Sequence, residues 1–237
     1  MIRLAVLSDI HGNLEALETI IRHFKGKKID LWVCPGDIVG YGPFPNECIQ
    51  LVKDSFKHVI MGNHDHASID RGVDRNIPAF NPYAHKALLW TANKLTKESK
   101  RFLAELPLTE TIPIEKITLA MFHGSPFHPL DEYVDPSYPS TRLDYYIQST
   151  GADILILGHT HVPMVYNSKK EGMLLNPGSV GQPRDRNPQA SAAIIKVEEY
   201  KVDIEIFRVK YAIDKTAKAM KYAKLPNVLW KRLFIGR

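Results

Sequence analysis

The sequence predicts an α/β fold: a parallel, strand–loop–helix first half, joined by a second, mixed or antiparallel sheet packed against it. Three observations predict it. Apolar, β-prone runs alternate with helix-spaced apolar residues through the first third of the chain, and several strands in the second half follow one another without helices between them. A length of 237 residues at 44% hydrophobic content is enough to bury a substantial core, read as one domain over 1–237.

Residues 2–7 are apolar and β-prone, and Asn13 caps a helix on which Leu14, Leu17, Ile20, Ile21 and Phe24 recur at helical spacing. Residues 29–33 form the next strand, ended by Pro35-Gly36-Asp37, and 46–53 the next helix. A third strand, 58–61, delivers Gly62 to Asp65 at its end. Parallel strands of this kind gather ligands outside their carboxyl ends. From about 71 to 106 the pattern is helical, with Thr96 as a cap, and this insertion is expected to shade the site. Strands follow at 117–122, 154–157, 162–166, 173–175, 192–197 and 204–209, and Ser140 caps a helix running towards Thr150. Residues 214–237 read as an amphipathic tail whose apolar end, 228–235, docks on the body, with a subunit or membrane-surface contact as the alternative.

No run of about 18 uncharged apolar residues occurs, so no membrane span is expected. The two cysteines, Cys34 and Cys48, form no disulfide framework and fit a reducing cytoplasm. The net charge of +5 attracts phosphates, yet Lys215, Lys218, Lys221 and Lys224 stand at helical spacing and read as a solvated face without interleaved aromatics. Nucleic acid is therefore not the favoured partner, and a homo-oligomer stays open.

The chemistry lies in five segments: Asp9-Ile10-His11, Gly36-Asp37, Gly62-Asn63-His64-Asp65, His123-Gly124 and Gly158-His159-Thr160-His161. Each sets metal-binding side chains just after an expected strand. Phosphate-ester hydrolysis needs a nucleophile made from water and charge stabilisation on the phosphoryl oxygens, and two dications roughly 3.5–4 Å apart supply both. Such a pair needs a bridging carboxylate and ligands that leave positions open; Asp9, His11, Asp37, Asn63, His123, His159 and His161 contain these pieces. Two carboxylates against two dications leave a net charge of about +2, which favours an anionic substrate. His159 and His161, two apart, share a face if their segment is extended. Without a cysteine ligand the set prefers Mn²⁺ or Fe²⁺, with Zn²⁺, Co²⁺ or Ni²⁺ also accommodated. His64 follows Asn63 directly, which frees it to donate a proton to the leaving group, with Asp65 orienting its ring.

This ordered set resembles the calcineurin-like metallophosphoesterase superfamily, and Ser8 to Leu17 and Asn176-Pro177-Gly178-Ser179 are similar to its small YfcE-type bacterial and archaeal phosphodiesterases. The resemblance implies a four-layer sandwich of two mixed sheets flanked by helices. It would put Asp9, His11, Asp37 and His161 on one metal and Asp37, Asn63, His123 and His159 on the other, with Asp37 bridging and His64 catalytic. The Val-Asp-Arg-Gly continuation of the protein phosphatases is missing here, since Gly36-Asp37 runs into Ile38-Val39-Gly40-Tyr41-Gly42. Arg184, in the loop after Ser179, is the candidate to hold the substrate phosphate in place of their arginine. The expected protein is a metal-dependent phosphodiesterase that hydrolyses a small organic or nucleotide ester through a metal-activated hydroxide. Tyr41, the 71–106 insertion and the loop 123–138 would shape its pocket. A nuclease or phosphomonoesterase with the same metals, or a noncatalytic metal-binding scaffold, are the alternatives.

Overall fold

The structure, a computed structural model, describes residues 1–69, 81–170 and 172–237. Its first half builds the expected strand–helix alternation: β1 (Ile2–Val6), α1 (Leu14–Phe24), β2 (Leu31–Cys34), α2 (Pro45–Ser55), β3 (His58–Val59) and α3 (Asn63–Ile69). Next come α4 (Pro82–Lys94) and α5 (Lys97–Glu105), then β4 (Thr109–Ile114), β5 (Ile117–Phe122), α6 (Ser140–Thr150), β6 (Ile154–Ile156), β7 (Met164–Asn167), β8 (Met173–Asn176), β9 (Ala190–Glu198) and β10 (Lys201–Val209). Two helices, α7 (Ile213–Tyr222) and α8 (Asn227–Leu233), come last. Residues 71–80 of the expected insertion lie outside the described residues.

Each sheet has five strands, in the orders β10-β9-β1-β2-β3 and β4-β5-β6-β8-β7. The central pairs, β1–β2–β3 and β5–β6–β8, are parallel, and the outer strands β9, β10, β4 and β7 pair antiparallel. Strand alternation sorts the side chains. β1 sends Leu4 and Val6 into a core shared with Leu119, Met121, Ile154 and Ile156 of the other sheet, while Ala5 packs under α1 and α2. On the far side, Leu143, Tyr146 and Ile147 of α6 cover Leu155 and Leu174. Helix, sheet, sheet, helix is the four-layer sandwich that the family resemblance implied.

The caps at Asn13 and Thr96 form as expected, each side chain accepting a backbone N–H from three residues on. Ser140 does not cap α6; it is the first helical residue, preceded by Pro139, and makes no capping bond. The strand expected at 58–61 is only the pair His58–Val59, because the chain turns at Gly62 to begin α3. The docked tail is found: Leu229 and Leu233 of α8 are buried with Met220, Leu225, Ala84, Ala87 and Tyr41.

Phe24 is fully buried between Trp32 and Phe207, with ring centroids 6.1 and 5.1 Å away. Phe24→Ala is expected to cost about 3–5 kcal/mol of unfolding free energy, measured by denaturant titration; a loss below about 1 kcal/mol would contradict this packing.

Candidate metal centre

Asp9 and His11 follow β1, Asp37 follows β2, and Asn63 and His64 open α3 just beyond β3. From the other sheet come His123 after β5 and His159 and His161 after β6. All these loops leave the carboxyl ends of parallel strands, and the sandwich brings the two sets of ends together.

Five of the seven sequence-derived ligands, Asp9, His11, Asp37, His159 and His161, have φ between 50 and 67°. The left-handed region disfavours non-glycine residues by roughly 1–2 kcal/mol each, so the surroundings must hold them. They do so with backbone bonds: Asp9 N–H donates to Gly36 O (3.1 Å) and His11 N–H to Asp37 O (3.0 Å). His64 N–H donates to Asp37 Oδ1 (2.8 Å), and Ser179 Oγ to Asp9 O (2.8 Å). A Cβ on Gly62 would overlap Asp37 Oδ1, so only glycine lets that turn pass. The extended geometry expected for His159 and His161 is wrong; they sit in a left-handed turn that Asn176 Nδ2 pins by donating to Gly158 O (2.6 Å).

Asp9, His11, Asp37 and His161, all buried, each offer one ligand atom within 4.8 Å of the others. Beside them His123 Nε2 and His159 Nδ1 lie 3.0 and 3.1 Å from Asn63 Oδ1. Asp37 Oδ2 stands between the two groups, 3.6 Å from His11 Nε2 and 3.3 Å from His123 Nε2.

The electrostatics fit cations. Nδ1 of His11, His123 and His161 lies 3.2, 2.8 and 2.6 Å from the carbonyls of Val39, Pro35 and Gln182, so each Nδ1–H donates outward and Nε2 faces the cluster. Burial holds the pKa of His11 and His161 well below the ordinary imidazole value. Two neutral rings thus set Nε2 lone pairs 2.9 Å apart, an arrangement a shared cation relieves. Among the described residues, His159 Nε2 is buried without a hydrogen-bond partner. Burial and the neighbouring Asp37 push Asp9 up to about 7, His123 notwithstanding. Burial alone would raise Asp37, but His123, His64 and His11 hold it down; in turn Asp37 outweighs burial at His123 and lifts it to about 10. The His123 imidazolium stands in for positive charge that a divalent ion would supply beside Asp37.

The calcineurin-like phosphoesterase superfamily domain matches residues 2–200. The chain belongs to that superfamily. It is a hydrolase acting on phosphate esters, and the buried Asp/His cluster is one that could hold a divalent metal ion. This phosphoesterase is 37% identical to an uncharacterized protein of Methanocaldococcus jannaschii, over 99% of this chain and 98% of that one. It is 27% identical to phosphodiesterase YfcE of Escherichia coli, over 79% of this chain and 84% of the relative. A metallophosphoesterase structure from Sphaerobacter thermophilus is 34% identical, with a TM-score of 0.81 over 100% of this chain and 99% of that one.

His64 is buried between His11 and Tyr41, with ring centroids 4.7 and 4.6 Å away. Asp65 accepts the N–H groups of Val39 (3.0 Å) and Gly62 (3.1 Å) on its two oxygens, clamping the Asp37 loop to α3. Arg184 Nη2 donates to Tyr41 Oη (3.1 Å) and Gln182 Oε1 (3.2 Å). Asp37, His64 and Arg184 line a cavity of about 760 Å³. Tyr41 and Tyr133, from the two loops expected to shape it, line it too. Sequence reasoning missed α8 as its wall: Val228, Lys231, Arg232 and Ile235 recur at helical spacing, opposite the buried Leu229 and Leu233. That face was the available signal. No helix among the described residues is long and apolar enough to cross a membrane.

Proposed function

We propose that the chain is a cytoplasmic phosphodiesterase, one domain over 1–237, that uses two divalent cations to hydrolyse a small organic or nucleotide phosphate ester. The observation that carries this reading is Asp37 Oδ2, buried and placed between the two imidazole groups, 3.6 Å from His11 Nε2 and 3.3 Å from His123 Nε2. Asp9, His11, Asp37 and His161 would hold one cation, and Asp37, Asn63, His123 and His159 the other. When bound, the pair, Mn²⁺ or Fe²⁺ in our reading, stabilises charge on the phosphoryl oxygens and lowers the pKa of the attacking water. The relative named as a phosphodiesterase supports a diester over a monoester.

His64 gives its proton to the leaving-group oxygen. Burial first, then Arg184 and His123, hold its pKa down to about 4 against the pull of Asp37. A substrate phosphate beside the ring acts in the opposite sense and favours the imidazolium. Arg184, half-buried and without a carboxylate within 4.0 Å among the described residues, orients the phosphate through its guanidinium.

The test is a metal-by-substrate panel. Chelated protein is expected to be inactive, Mn²⁺ to restore turnover, and aryl diesters to outrun aryl monoesters. Silence with all of Mn²⁺, Fe²⁺, Zn²⁺, Co²⁺ and Ni²⁺ would overturn the reading. Within the same assay, Arg184→Ala is expected to raise KM about tenfold with kcat nearly kept, since a charge-assisted bond contributes about 1.5–3 kcal/mol. An unchanged KM removes Arg184 from the site.

A further inference from the structure

We propose that α8 and the residues after it form a second anion subsite, so that the substrate of this phosphodiesterase carries another phosphate, remote from the scissile one. The proposal rests on the phosphodiesterase reading and adds the class of ester.

The cavity next to Asp37 and His64 is lined further out by Lys231, Arg232 and Arg237. With Arg184 they bring four cations to one cavity, against two side-chain carboxylates among the described residues, Asp131 and the metal-site Asp37. None of the four has a carboxylate oxygen within 4.0 Å among the described residues, although five other Lys and Arg carboxylate pairs of this protein do form: Lys53–Glu98, Arg142–Glu132, Lys196 with both Asp203 and Glu205, and Arg208–Asp185. Converging, unpaired cations repel one another, and a polyanion relieves that repulsion.

The wall is built rather than loose. Leu229 and Leu233 bury the back of α8, which turns Lys231 and Arg232 to the cavity. Beyond the helix, Gly236 O accepts Arg186 N–H (2.8 Å), and a Cβ on Gly236 would meet the Asn187 backbone at 2.5 Å. The last residues are therefore locked to the loop that carries Arg184. Prior ordering of this kind lowers the cost of binding. At about 760 Å³ the cavity is far larger than one phosphate needs, and half-exposed Tyr133 and Ile235 provide apolar surface for the organic part between two anions. The superfamily match ends at residue 200, so this wall, from α8 and residues 234–237, lies outside it.

The experiment compares two chromogenic diesters with the same scissile bond, thymidine 5′-(p-nitrophenyl phosphate) and the same compound bearing a 3′-phosphate, on the manganese-loaded enzyme. The 3′-phosphorylated ester is expected to have a kcat/KM at least about tenfold higher, chiefly through KM, with the advantage shrinking as salt rises. The Lys231→Ala/Arg232→Ala double variant is expected to bring the ratio within about twofold of unity. Arg237→Ala, at an exposed side chain, is expected to lower it independently, so the test survives a misfolded double variant. A ratio near unity in the unmodified enzyme, or an unaltered ratio in folded variants, overturns the subsite while leaving the phosphodiesterase intact. Hydrolysis of neither ester overturns the phosphodiesterase reading and the subsite together. A single-stranded oligonucleotide turned over with a higher kcat/KM than the 3′-phosphorylated ester would mean that the wall tracks a polymer, which overturns the small-ester proposal.

Discussion

Asp37→Asn is expected to lower kcat about 10⁴-fold or more and to reduce bound Mn²⁺ from two ions per chain to one or none. The substitution keeps shape: an amide oxygen can still accept His64 N–H, which now bonds to Oδ1 at 2.8 Å. What disappears is one of two central carboxylates in a site proposed to hold four positive charges, and with it the anion shared by both halves. Losing several kcal/mol of charge stabilisation corresponds to roughly four orders of magnitude in rate. Metal content by elemental mass spectrometry, read beside kcat, checks it. A variant that retains both ions and a tenth of the activity would remove Asp37 as the bridge.

His64→Ala separates two roles that one geometry allows. If the ring protonates the leaving group, kcat for an alkyl diester falls about 10²–10⁴-fold, while an aryl diester, whose phenolate departs unaided, loses less than about tenfold. If the ring only holds the phosphate, both esters lose equally and the loss falls on KM. Because His64 is buried against His11 and Tyr41, metal content and thermal midpoint are measured on the same sample. Equal losses for the two esters would remove the acid role.

The sheets and the order of the site segments were legible because parallel strands announce themselves through apolar runs, and loops after such strands hold the polar residues that cannot be buried unpaired. Asn13, Thr96 and the α1 apolar stripe read directly. Other features depend on contacts distant in sequence. The left-handed backbone at His159 and His161 is maintained by Asn176, and a two-residue local rule predicts extension instead. Helix α3 escaped because Asn63, His64 and Asp65 are poor helix formers that serve the site. β4, Thr109–Ile114, escaped because it carries Pro113 and is an edge strand paired, among the described residues, only with β5. The basic face of α8 was overlooked because the apolar residues of the tail dominated its reading, although spacing alone separates the two faces.

The left-handed residues at the ends of β1, β2 and β6 have a consequence for the living cell. An unfolded chain has neither that strain nor the enclosed lone pairs, so an ion taken up by the folded site shifts the balance against unfolding, by about 2.7 kcal/mol at a hundredfold excess over its Kd. Mineral supply would then govern not only how fast this protein works but how much heat it survives, and a starved population would be lost first to proteolysis.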